Sequence, residues 1–153
     1  MYTLKTKYGK VKFEATSKGI CKIFLGDKSN RGAINKKIAD QNLLRFVLQL
    51  NNYFAGNKVN FDVKFDITHL SDFTKKVLKE TKKIQHGEIS TYGEIAKRIG
   101  CPKASRAVGQ ALGANPLPIL IPCHRVIRKD NSLGGFAFGL KWKKMLLDLE
   151  SKK

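Results

Sequence analysis

With 153 residues and 42% hydrophobic content, the chain is long enough for one globular unit or two small subdomains sharing an interface, and it is not a disordered basic tail. Its 30 Lys and Arg against 12 Asp and Glu give a formal charge of +18, which calls for an anionic partner; nucleic acid is the commonest, and charge alone leaves an acidic membrane surface open. The charge is spread, with 13 basic against 5 acidic residues over 1–69 and 17 against 7 over 70–153, so it does not locate a binding face.

Met1-Tyr2-Thr3-Leu4-Lys5-Thr6-Lys7 has no apolar run, and no stretch approaches the length of a membrane span, so an intracellular, cytoplasmic protein with no membrane partner is expected. The alternation of Tyr2–Thr6, Val11–Ala15 and Ile20–Leu25, with Gly9-Lys10 and Lys18-Gly19 at the turns, predicts an antiparallel meander. Residues 40–54 keep Leu43, Leu44, Phe46, Val47, Leu50 and Phe54 at helical spacing, with Asp40 as N-cap and Gly56 as the stop. A short strand is expected over Phe61–Phe65.

From about residue 70 the period becomes helical. Ser71 or Asp72 caps a helix that carries Phe73, Val77, Leu78 and Ile84 and ends near His86-Gly87. A second starts at Ser90 or Thr91 and runs through Tyr92, Ile95 and Ala96 to Gly100; a third follows from Ala104 to about Leu112, and together they read as a helix-turn-helix. That third helix is rich in small residues (Ala104, Ser105, Ala107, Gly109, Ala111) around Arg106, which suits either tight helix packing or close approach to a DNA groove. Asn115-Pro116-Leu117-Pro118 breaks it, and Ile119-Leu120-Ile121 threads the core towards Pro122-Cys123. After a glycine-punctuated loop, Gly134–Gly139, a final helix over Leu140–Glu150 places Leu140, Met145, Leu146 and Leu149 at core spacing. The expected class is α+β: a small N-terminal α/β subdomain with antiparallel strands over 1–68, and a mainly helical C-terminal domain with the helix-turn-helix over 69–153.

Chemistry concentrates in Pro122-Cys123-His124-Arg125-Val126. A thiol is only slightly ionised at neutral pH and needs a base or a cation nearby to act as a nucleophile, and His124 and Arg125 can each supply one. Side chains at adjacent positions diverge, so a water relay between Cys123 and His124 is favoured over direct contact. His124 needs an orienting acid, for which Asp148 and Glu150 are available. Cys21, Cys101 and Cys123 are odd in number and lack Cys-x-x-Cys spacing, so neither a disulfide framework nor a metal site is indicated, while a Cys21–Cys101 bridge stays open.

Residues Gly113–Val126, with Arg106-Ala107-Val108-Gly109, closely resemble the O6-alkylguanine-DNA alkyltransferase family over roughly residues 70–150. The N-terminal third matches only in its general layout. The resemblance implies that Cys123 is the alkyl acceptor, His124 the water-linked base, Glu150 the acid that orients it, and Asn115 a brace of the turn before the active-site strand. It implies that Arg106 fills the gap left by a flipped nucleotide and that Tyr92 assists flipping and donates to guanine N3. Ala107, Gly109 and Ala111 would let the helix fit the minor groove. The carbonyls of Cys123 and Val126 would face the guanine amine, and the Ala137 N–H would bond O6. Phe136 and Ala137 stand where some relatives carry tyrosine and serine.

The implied activity is DNA repair by direct, single-use transfer of an alkyl group from O6-alkylguanine in double-stranded DNA to Cys123, by a monomer able to cluster along DNA and needing no cofactor. A non-catalytic lesion-binding module is the alternative; those relatives lack the acceptor cysteine. A cysteine hydrolase built on Cys123 and His124 is a remote third.

Overall fold

The computed structural model describes residues 1–26 and 40–151, and the chain divides into two units, Met1–Thr68 and His69–Lys153. In the first unit, strands β1 (Tyr2–Thr6), β2 (Gly9–Thr16) and β3 (Gly19–Leu25) form an antiparallel meander in the order β1-β2-β3. Helix α1 (Gln41–Phe54) starts where the sequence signals it: the Asp40 side chain accepts from the backbone N–H groups of Asn42 and Leu43. Its buried face carries Leu43, Phe46, Leu50, Tyr53 and Phe54, and Phe46 meets Phe13 of β2 edge-on with ring centroids 5.1 Å apart.

The expected strand over Phe61–Phe65 forms only a single parallel bridge, between Phe65 and Ile20. Burial still alternates along it, with Phe61 and Val63 inward. Around that bridge the Lys64 carbonyl accepts from the Ile20 N–H and the Asp66 N–H donates to the Ile20 carbonyl, and a side chain adds to the pairing: Asn42 of α1 donates to the Lys64 carbonyl and accepts from the Lys64 N–H, at 3.0 and 2.8 Å. Gly19 permits the approach, since a Cβ there would lie 2.5 Å from the Lys64 carbonyl.

In the second unit, helix α2 (Asp72–Thr81) is capped by Ser71 and ends earlier than its apolar spacing predicts. The chain tightens there, with Lys83 bonding back to Glu80 and Ile84 to Thr81. Helices α3 (Tyr92–Arg98) and α4 (Ser105–Gly113) form the expected helix-turn-helix, with Gly100 in the left-handed region at φ 81° in the turn. Helices α2, α3 and α4 pack against one another. Ser90–Thr91 (β4) and Val126–Ile127 (β5) add a two-residue parallel ladder that the sequence did not predict.

Helix α5 spans Leu140–Ser151, but its inner face differs from the one predicted. Leu140 is 52% exposed and Met145 half-buried, while Lys143 and Glu150 are buried alongside Leu146 and Leu149. Positions 143, 146 and 150 share a helix face, and two of the three are charged. The overall class is α+β, as expected.

Candidate active site

Cys123 is delivered by a buried turn and not by a strand. After α4, Leu117, Ile119, Leu120 and Ile121 are all buried, yet the chain folds back on itself: Ile121 donates to the Leu117 carbonyl at 2.8 Å and Leu120 to that of Pro118 at 2.9 Å. Ile119 pivots this turn at φ 73°, a left-handed conformation that a β-branched residue adopts at a cost of about 1–3 kcal/mol. Asn115 braces it from inside, donating to the Ile121 carbonyl at 3.0 Å and accepting from the Leu117 N–H at 2.9 Å. A short 3₁₀ turn, Cys123–Arg125, then leads into β5.

The thiol is 8% exposed, and burial pushes its pKa up. Hydrogen bonding from Asn115, the charge of Lys143 and the backbone N–H groups of Cys123 and His124 act in the opposite direction.

His124 is fully buried, and its Nε2 bonds to Glu150 Oε2. Of the two acids proposed from sequence it is therefore Glu150, not the exposed Asp148, that orients the ring. With Nε2 committed, Nδ1 has no hydrogen-bond partner among the described residues. Neutral imidazole carries one N–H and one lone pair, so an Nε2–H bonded to carboxylate leaves Nδ1 as a buried acceptor. Burial lowers the His124 pKa despite the carboxylate, which keeps the ring neutral.

Arg125 has a different place from the one its position beside Cys123 suggested. Its Nε donates to Glu150 Oε1 at 2.5 Å and its Nη1 to the Ile84 carbonyl at 2.7 Å, so its charge is spent on Glu150. Burial works against the Glu150 carboxylate, but His124 and then Arg125 outweigh it and hold its pKa down to about 2.

Cys123 lines a cavity of about 600 Å³ within the second unit. Tyr92, Arg106, Gly109, Asn115, Phe136 and Ala137 share its walls, and so do Pro118 and Arg128, which sequence reasoning did not single out. Tyr92 is half-buried; burial raises its pKa. It sits in a cradle of glycines: a Cβ on Gly134 would come within 2.6 Å of its hydroxyl, and one on Gly109 within 3.8 Å of its ring.

Arg106 is exposed and Ala107 half-buried on α4, whereas Ala111 is only 4% exposed. Ala111 therefore packs inward and is unavailable for the groove contact expected of it. Val126 is buried, and its carbonyl accepts a hydrogen bond from Lys143. Lys143 is the main residue that sequence reading missed. Its signal was a lysine at i−3 from the core residue Leu146, hidden among many surface lysines. All three cysteines are free thiols, so no Cys21–Cys101 bridge forms.

Two family models cover nearly the whole chain: the 6-O-methylguanine DNA methyltransferase ribonuclease-like domain matches residues 2–67 and the DNA binding domain of the same name matches residues 72–152. The chain belongs to the 6-O-methylguanine DNA methyltransferase family. Among curated relatives in this family, a methylated-DNA–protein-cysteine methyltransferase of Methanosarcina acetivorans is 53% identical over 67% of this chain and 65% of its own length. One of Methanosarcina mazei is 46% identical over 84% of this chain and 81% of its own. Among solved structures, Mycobacterium tuberculosis OGT in complex with DNA superposes with a TM-score of 0.87 at 36% identity, covering 98% of this chain and 91% of that one. Among the described residues, no helix is long and apolar enough to cross a membrane.

Proposed function

We propose that this chain repairs double-stranded DNA by moving the alkyl group of an O6-alkylguanine onto Cys123, once per molecule. The observation that carries this reading is the buried Glu150–His124 bond, which leaves Nδ1 free to take a proton in the same 3₁₀ turn as a cavity-lining thiol. The thiol proton passes through a water to Nδ1 of His124. The sulfur then attacks the alkyl carbon, the carbon–O6 bond breaks with its electron pair going to guanine, and Tyr92 supplies a proton at ring N3. The product is a thioether, which has no good leaving group, so no cofactor takes part and the protein is consumed.

The base reaches the thiol by leaving the stack, which costs least at a lesion that pairs poorly. Arg106 fills the vacated space, and Ala107 and Gly109 let α4 lie in the minor groove, where sequence is read weakly and lesions at any site are accepted. The Cys123 carbonyl faces the guanine amine, with that of Val126 sharing it through the lone pair its bond to Lys143 leaves open; Ala137 N–H bonds O6, and Phe136 supplies an apolar wall. In this reading the protein works in the cytoplasm as a monomer that can cluster along DNA.

Incubation with one equivalent of duplex containing O6-methylguanine should add a single methyl group, located on Cys123 by peptide mass spectrometry, and should not add one to Cys123→Ser. Tight lesion binding with an unmodified Cys123 would favour a non-catalytic lesion-binding module instead.

A further inference from the structure

The chemistry above employs His124 and Glu150 but not Lys143, whose placement is costly. The side chain is 0% exposed on the inner face of α5. Its Nζ donates to the carbonyls of Val126 at 2.8 Å and Gly135 at 3.2 Å, and lies 5.9 Å from the centre of the Tyr92 ring. No carboxylate pairs with it among the described residues, because Glu150, further along the same helix, is engaged by His124 and Arg125. A buried ammonium ion without an anion is destabilising, and two carbonyl dipoles with a ring face offset only part of its lost hydration.

The surroundings narrow the choice of anion: Gly135, which Lys143 bonds, and Tyr92, whose ring it approaches, line the same cavity as Cys123. Cys123 and Lys143 each favour the other's charged form. Tyr92, the other acid, is driven towards neutrality by its burial. Arg128 opposes the ammonium, and Lys143 in turn disfavours an imidazolium at His124, which keeps that base neutral at rest.

We propose that Lys143 is the buried counter-ion of the Cys123 thiolate: a positioning residue that ties β5 to the loop at Gly135 and thereby fixes a positive charge beside the sulfur. It gives up no proton in the reaction; the thiol proton goes to His124. This inference rests on Cys123 being the nucleophile, and it is tested without DNA so that the two readings fail separately.

The rate at which the Cys123 thiolate displaces iodide from iodoacetamide is followed against pH in a Cys21→Ser, Cys101→Ser background, where one thiol reports. Lys143→Met should move the inflection up by about one pH unit, a roughly tenfold slower reaction near neutral pH, and Lys143→Arg should restore it. An inflection that stays in place in Lys143→Met overturns the proposal. A second measurement uses the unsubstituted chain and decides the matter if the variant does not fold. Lysine ¹³Cε resonances are titrated before and after Cys123 is S-methylated with iodomethane. Lys143, whose pKa burial lowers to about 8, should titrate lower still once the sulfur is a neutral thioether. A midpoint that does not move overturns the proposal. Failure of methyl transfer from DNA, with these thiol effects intact, would sink the repair reading and leave the counter-ion standing.

Discussion

Glu150 holds two cationic or basic side chains at once, and the balance has a sign that can be read in acid. Its carboxyl is held near 2 in the fold against an ordinary 4.5, so it contributes stability that is fully present above 4.5 and lost as pH falls towards 2. His124 acts in the same direction at higher pH. Its folded pKa lies below the ordinary 6.5, so the unfolded chain takes up a proton first as pH drops. Acid titration of stability by urea unfolding should lose on the order of 2–3 kcal/mol over the lower window, and Glu150→Gln should flatten it. The same variant should slow methyl transfer about 10²-fold or more, because the histidine tautomer is no longer held. Cys123 and His124 stand out by residue type, whereas pairing His124 with Glu150 and not Asp148 needed the family resemblance, because residue type leaves the two acids equal. Lys143 does not stand out, because a lysine signals its environment only when its neighbours are known, and in a chain with 30 basic residues one more attracts no notice.

At the scale of elements, periodicity located the meander and the helices from α1 to α5 to within a few residues. It failed where pairing is short or unconventional. Two-residue strands such as β4 and β5 have no period to detect, and 61–65 alternates like a strand while pairing with β3 only around Ile20, helped by the Asn42 side chain. The stretch before Cys123 failed for another reason. Ile119 at φ 73° is a conformation that β-branched residues resist, and only the surrounding turn and Asn115 impose it. The loop after β5 gives a sharper test. Gly134 has φ 72°, and a Cβ would meet the Tyr92 hydroxyl at 2.6 Å, so Gly134→Ala must displace the tyrosine or the loop. Transfer from duplex DNA should fall about tenfold or more, while the reaction of Cys123 with iodoacetamide changes by less than about twofold. An equal loss in both assays would mean that the loop supports the thiol and not the entering base.

For the whole molecule, a charge of +18 shared between both parts of the sequence would, on the proposed function, set how DNA is first engaged. Most of that attraction is to phosphate and releases counter-ions, so affinity for undamaged duplex should fall steeply between about 50 and 200 mM salt. Single-turnover transfer at saturating protein should be nearly salt-independent, since the reacting groups are buried and screened little. A transfer step that weakens in parallel with binding would place exposed charges in the chemistry. Composition indicated an anionic partner, and the chemistry proposed for it came from the residues around Cys123. The way α5 enters the site has a consequence for heat. Glu150 reaches His124 and Arg125 from a separate element, across the contact between α5 and the 3₁₀ turn. Warming that locally unseats α5 would release the acid from the histidine and silence the thiol while the rest of the fold persists. The protein would then have a working temperature ceiling below its melting point, set by the seating of one helix.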